Sequence, residues 1–161
     1  MIVVLIFAVL ALALFIGAFL SKRRFGLLGL ALTAGATLST IWSYDAGLVV
    51  SSTGLAPEGP LTNAIVLSAI VLLPAVVLLF HGYTYKENAA RVIGSLLFTV
   101  LALAFLAEPL SFALPLQGLA ADVYKIIIQY KEVIISVGVV FAVVDLFFTK
   151  PAKTAEKDRK R

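Results

Sequence analysis

Any chemistry in this chain rests on few side chains. Lys125, Lys131, Glu132 and Asp145 lie within the apolar stretch 123–148, Glu108 stands just before a proline, and His81 is the single histidine. Thr33, Thr37 and Thr40 add a row of hydroxyls in an apolar setting. At 100° per residue, Lys125, Gln129, Glu132 and Ser136 follow i, i+4, i+7, i+11 and form one polar stripe on a helix. Lys131, Gly138 and Asp145 fall on roughly the opposite face. Ionisable groups in hydrocarbon are costly, so each needs a partner, an interface or a function.

Two readings are open for each group. The stripe is either a hydrophilic path with Glu132 as an ion or proton site, or a contact face near the outer surface. In the second case Glu132 pairs with Lys125, with Lys131 or with a neighbouring subunit. Asp145 either pairs with Lys150 or a basic turn, or is a buried carboxylate serving a proton pathway. Glu108 either pairs with Lys125 or Lys131 across two helices, or acts as a gate. His81 is a polar helix end or a pH sensor. The threonines either bond their own helix carbonyls and packed neighbours or line a polar path. The structural alternative is favoured in every case, because interfacial placement removes most of the cost.

Enzyme chemistry is not expected. There are no cysteines, so disulfides, thiolate metal sites and cysteine nucleophiles are excluded. One histidine cannot make a multi-histidine metal site within a chain, and no nucleophile–base pair, glycine-rich phosphate loop or HExxH is present. No catalytic residue, cofactor or metal is therefore assigned.

The setting for these groups is a membrane. The hydrophobic fraction is 61% and the charged fraction 14%, against roughly 45–50% and about 25% in soluble domains. Long continuous apolar runs indicate helices rather than the alternating strands of a barrel. The fold class expected is all-α, a bundle of five transmembrane helices over residues 1–148, with spans at about 1–20, 25–42, 61–80, 91–107 and 126–148. The first run has its positive charge after the apolar core, the reverse of a secretory signal, and is read as a retained helix. The second holds Ala31, Gly35 and Ser39 four apart, a row of small residues that lets another helix approach. Pro74 should kink the third. Residues 43–60 are expected as a connection lying on the membrane surface or on another loop, with Trp42 and Tyr44 in an interfacial belt. Residues 110–121 read as a broken interfacial segment, with the fourth span ending at Glu108-Pro109. Residues 149–161 form a polar, basic tail, expected to be disordered.

This arrangement places eleven of the thirteen basic residues on one side. Lys22, Arg23, Arg24, Lys86 and Arg91 share it with Lys150, Lys153, Lys157, Arg159, Lys160 and Arg161. Positive charge favours the cytoplasm, so the N-terminus is expected outside and the C-terminus inside. The basic turn and tail are candidate contacts for anionic lipid or a partner, and nucleic acid is not an expected partner. The expected location is a prokaryotic plasma membrane.

A turn after the third span followed by Arg91-Val92-Ile93-Gly94 at the start of the next is loosely similar to the colicin V production family. The likeness covers the middle third of the chain and rests on hydrophobic pattern and one Arg-x-x-Gly. The charged last helix departs from that pattern, and neither family nor function is assigned from it. The function expected is that of a non-enzymatic membrane subunit assembling with itself, as a homo-oligomer, or with other membrane proteins. It is favoured by the small-residue row, two apolar outer connections and the charges of the last helix. The alternatives are an ion or proton channel or small transporter subunit using Glu132 and Asp145, and an anchor recruiting a soluble partner through the tail.

Overall fold

A computed structural model of the chain describes residues 2–54, 57, 59–81, 84–85, 87–111, 113 and 119–148. Six helices account for most of the described residues: α1 (Ile2–Ser21), α2 (Phe25–Ile41), α3 (Asp45–Ser52), α4 (Pro60–Phe80), α5 (Asn88–Ser111) and α6 (Leu119–Phe147). Among the described residues, strand-type pairing is confined to a single antiparallel bridge between Arg23 and Thr84.

Local chemistry sets the boundaries. The α1–α2 turn is tight because Lys22 takes a left-handed conformation, φ 58°, which costs an L-residue roughly 1–2 kcal/mol. The turn is held by the Tyr85 N–H, which donates to the Lys22 carbonyl at 2.8 Å. Beyond Ile41 the chain bends by 78° into α3. Asp45 stands in the first turn of α3, where its charge complements the helix dipole. Gly54, φ +72°, follows α3 in the conformation glycine adopts most cheaply. Pro60 occupies the first turn of α4, where its missing N–H is harmless.

Three expectations need correcting. Residues 43–60 are not merely a connection, since their apolar middle folds as α3. Glu108-Pro109 does not end the fourth span: α5 continues to Ser111 with Pro109 buried, because a proline so near the C-terminus removes a bond from the last turn only. The segment 110–121 is divided, its first residues closing α5 and Leu119 opening α6, while residues 112 and 114–118 lie outside the described residues. Pro74 is carried within a single continuous α4.

Among the described residues, three helices are each long and apolar enough to cross a membrane, α4, α5 and residues 124–147 of α6, with a fourth span if α2 and α3 form one broken span. Leu5–Ser21 of α1 adds a shorter apolar run.

The bundle is organised around α2 and α5, not around α6. Helix α2 packs on α4, α5 and α6, and α5 packs on α1, α4 and α6. Leu28 and Leu32 of α2, Val71 of α4, and Leu101 and Leu106 of α5 are the largest fully buried side chains. Only 6% of the apolar stretch of α6 is buried, against 44% for α5, so α6 is an outer helix. The α2–α4 contact is close because Gly35 removes a side chain from it. A Cβ there would stand 2.8 Å from the Val71 carbonyl carbon. Ala31, Gly35 and Ser39 are all buried, so the small-residue row lies inside the chain.

Candidate functional site

At the end of the bundle that holds the α1–α2 turn, the charged side chains converge on helix termini. The first N–H groups of a helix lack intrahelical acceptors. At α2 the preceding residue is Arg24, whose side chain makes no cap. Two distant residues cap it instead. The Gly26 N–H donates to Asp145 Oδ2 at 2.8 Å, and the Phe25 N–H donates to the Tyr85 hydroxyl oxygen at 3.0 Å. Tyr85 in turn directs its hydroxyl to Asp145 Oδ2 at 3.4 Å. Arg24 Nη2 stands 3.6 Å from Asp145 Oδ1, and its guanidinium lies 5.3 Å from the Tyr85 ring centre. Asp145 thus places a negative charge at the positive end of α2, the favourable polarity.

Two arginines serve the opposite polarity. Arg23 donates from Nε to the Leu79 carbonyl at 2.9 Å and from Nη2 to the Phe80 carbonyl at 2.6 Å, at the C-terminus of α4. Arg91 donates from Nε to the Phe19 carbonyl at 2.5 Å, near the C-terminus of α1, with its guanidinium 3.8 Å from the Phe19 ring centre. Cations at helix C-termini and over aromatic faces are favourable on both counts.

Tyr85 reaches this cluster because Gly94 leaves room for it. A Cβ on Gly94 would meet the ring at 2.6 Å. Burial pushes the Tyr85 hydroxyl above the ordinary phenol value, and the Asp145 charge adds to this, while the Phe25 N–H and Arg24 oppose it. The hydroxyl therefore stays protonated and able to donate.

Helices α2 and α6 are closest where Gly26 and Gly29 meet Ala142. Toward the other end of the bundle a cleft of about 520 Å³ lies between them. Thr33, Thr37 and Thr40 line it from α2, Leu67 and Val71 from α4, Phe105 and Glu108 from α5, and Lys131 and Ile135 from α6. Each threonine hydroxyl donates to the carbonyl four residues earlier, at 2.9–3.0 Å. Lys131 Nζ donates to Glu108 Oε2 at 2.6 Å, joining α6 to α5 beside the cleft.

The candidate residues therefore separate. Lys131, Gly138 and Asp145 turn toward the bundle, Gly138 against Leu101. Lys125, Gln129, Glu132 and Ser136 are exposed on α6, and Glu132 has no ion-pair partner among the described residues. Glu132 and Asp145 are thirteen residues apart on one helix, about 20 Å. His81 is exposed at the C-terminal boundary of α4, its N–H donating to the Leu78 carbonyl at 3.2 Å. Lys22 is exposed. Lys150, Lys153, Lys157, Arg159, Lys160 and Arg161 lie outside the described residues. Among the described residues, no three His, Asp or Glu side chains gather as metal ligands.

Tyr85 was not among the residues singled out from sequence. One signal pointed to it indirectly: α2 begins after an arginine, with no Ser, Thr, Asp or Asn at its N-cap. No protein-family model, curated protein sequence or solved structure matches the chain.

Proposed function

We propose that the chain is an integral membrane protein whose helices α1, α2, α4, α5 and α6 cross the bilayer, with the N-terminus outside and the C-terminus in the cytoplasm. In this reading it is a non-enzymatic subunit that assembles, with itself or with other membrane proteins, through the outward face of α6. One observation carries the reading: Lys125, Gln129, Glu132 and Ser136 form an exposed polar stripe on a helix of whose apolar stretch only 6% is buried. Polar side chains facing lipid are costly, and a second protein surface relieves that cost. The orientation is supported by the basic residues at the turn end, where Arg23, Arg24 and Arg91 gather around helix termini. The small-residue row does not support assembly, because it is buried within the chain.

Natural cysteines are absent, so single introduced cysteines give a clean test. Cysteine at Gln129 or Ser136 should cross-link in native membranes, to a second copy or to another chain. Cysteine at Leu73, exposed on the apolar face of α4, should not. Equal cross-linking at all three positions, or none at the α6 sites, overturns the assembly reading.

A channel or small transporter is the second reading, and the hydroxyl-lined cleft favours it. Against it, Ala142 is fully buried and packs on Gly26 and Gly29 between the levels of Glu132 and Asp145. In liposomes, a flux altered by Glu132→Gln and by Asp145→Asn, with assembly intact, would favour this reading over the first.

A further inference from the structure

We infer that the cleft between α2 and α6 seats one zwitterionic glycerophospholipid from the leaflet at the Glu108–Lys131 end, its headgroup on that ion pair and one acyl chain between the two helices. This rests on the transmembrane reading above, though not on the orientation or the assembly. The cleft is graded in polarity in the way an amphiphile requires. At its mouth stand an anion and a cation 2.6 Å apart. The Glu108 side chain is 66% exposed and open to an ammonium group, whereas Lys131, 25% exposed, is held toward the bundle. One hydrogen bond to Glu108 leaves the Lys131 ammonium with two further donors for a phosphate. Deeper, Leu67, Val71 and Ile135 supply apolar surface.

The threonine wall suits a chain rather than a polar solute. Its threonine hydroxyl donors are already engaged by backbone carbonyls, so an acyl chain laid against the threonine methyls leaves none of these three donors unsatisfied. From Thr40 to Thr33 the wall runs about 10 Å along the helix, the length of several methylene groups. The volume, about 520 Å³, is that of an ordinary ligand pocket.

Charge selects the headgroup. An anionic lipid satisfies Lys131 but meets Glu108 with like charge, and a neutral diacylglycerol engages neither. Native mass spectrometry of the full chain in mild detergent, with phosphatidylethanolamine, phosphatidylglycerol or diacylglycerol added, tests this. One phosphatidylethanolamine per chain should be retained, with the other two bound at least about tenfold more weakly, a difference of about 1.4 kcal/mol. Glu108→Gln should abolish the discrimination against phosphatidylglycerol. Ala36→Phe, which fills the cleft, should lose the bound lipid, while Ala34→Phe, at an exposed position on α2 that does not line the cleft, should keep it. Equal retention of the three lipids overturns the proposal, as does undiminished binding by Ala36→Phe. Should Ala36→Phe fail to fold, unchanged discrimination in the exposed Glu108→Gln variant overturns it independently. The same spectra report subunit number. Loss of oligomers with lipid retained counts against the assembly reading alone, and the converse counts against this proposal alone.

Discussion

Replacing Asp145 tests whether the charged cluster exists to finish helix ends. The carboxylate accepts the Gly26 N–H at 2.8 Å and lies 3.6 Å from Arg24 Nη2. A hydrogen bond to a charged group contributes about 1.5–3 kcal/mol, a neutral one about 0.5–1.5. The Arg24 pair is long and both side chains are about one-fifth exposed, so it adds less than ~1 kcal/mol after solvent screening. Asp145→Asn keeps a neutral acceptor in the same place and should cost about 1–2 kcal/mol. Asp145→Ala leaves the Gly26 N–H without its acceptor and should cost about 3 kcal/mol. Arg24→Gln should cost less than either, at ~1 kcal/mol or below. Unfolding in mild detergent by increasing dodecyl sulfate, followed by far-ultraviolet ellipticity, measures all three. Hydrogen exchange at the Gly26 amide should accelerate in the alanine variant more than elsewhere in α2. If Arg24→Gln destabilises as much as Asp145→Ala, the ion pair rather than the helix cap is the principal interaction and the reasoning fails.

Two further outcomes follow from the packing and the tyrosine. Gly35→Ala forces a Cβ against the α4 main chain, which cannot turn aside as a side chain can. Overpacking of about 1–3 kcal/mol should exceed the gain of about 1 kcal/mol in helix propensity, whereas Gly17→Ala, with nothing within 4 Å of the new Cβ, should be neutral or stabilising in the same unfolding assay. Tyr85→Phe removes the acceptor of the Phe25 N–H and should cost about 1–3 kcal/mol. Because burial raises the Tyr85 pKa, its contribution is complete below the ordinary value of about 10 and declines as pH climbs from there through the folded-state value. Alkaline stability should therefore fall more steeply in the unmodified chain than in Tyr85→Phe, and parallel profiles would refute the assignment.

The helical class was legible because long uncharged runs leave few alternatives, and the two faces of α6 were legible because its charges obey one angular period. Asp145, Gly138 and Lys131 turn inward together, as the period requires. What was not legible depended on tertiary contact. Residues 45–52 were not legible as a helix because their glycine and serines read as a loop, although Asp45 and Gly54 mark its two ends. The role of α2 as the central helix was hidden because Gly26, Gly29 and Gly35 matter only through what approaches them, Ala142 and the Val71 backbone. The caps on α2 come from residues 60 and 119 positions away, beyond the reach of any N-cap pattern.

The charges of α6 now divide by face, and the division bears on function. Lys131 and Asp145 are engaged with α5 and with the start of α2, so neither needs a second protein as its counter-charge. Lys125 and Glu132 lie on the exposed face of α6, with Gln129 and Ser136 beside them. Interactions on the inner face determine how firmly α6 is held, while those on the outer face are free to be selected for a partner. A residue used for both tasks would tie assembly to folding. Here the opposed stripes separate them, and a polar outer stripe on an apolar helix is costly in hydrocarbon unless the membrane interface or a second surface receives it. The number of charges in α6, taken alone, said nothing of this. Their angular placement relative to the bundle turns one unusual helix into an inner face that completes a fold and an outer face that leaves its polar stripe exposed.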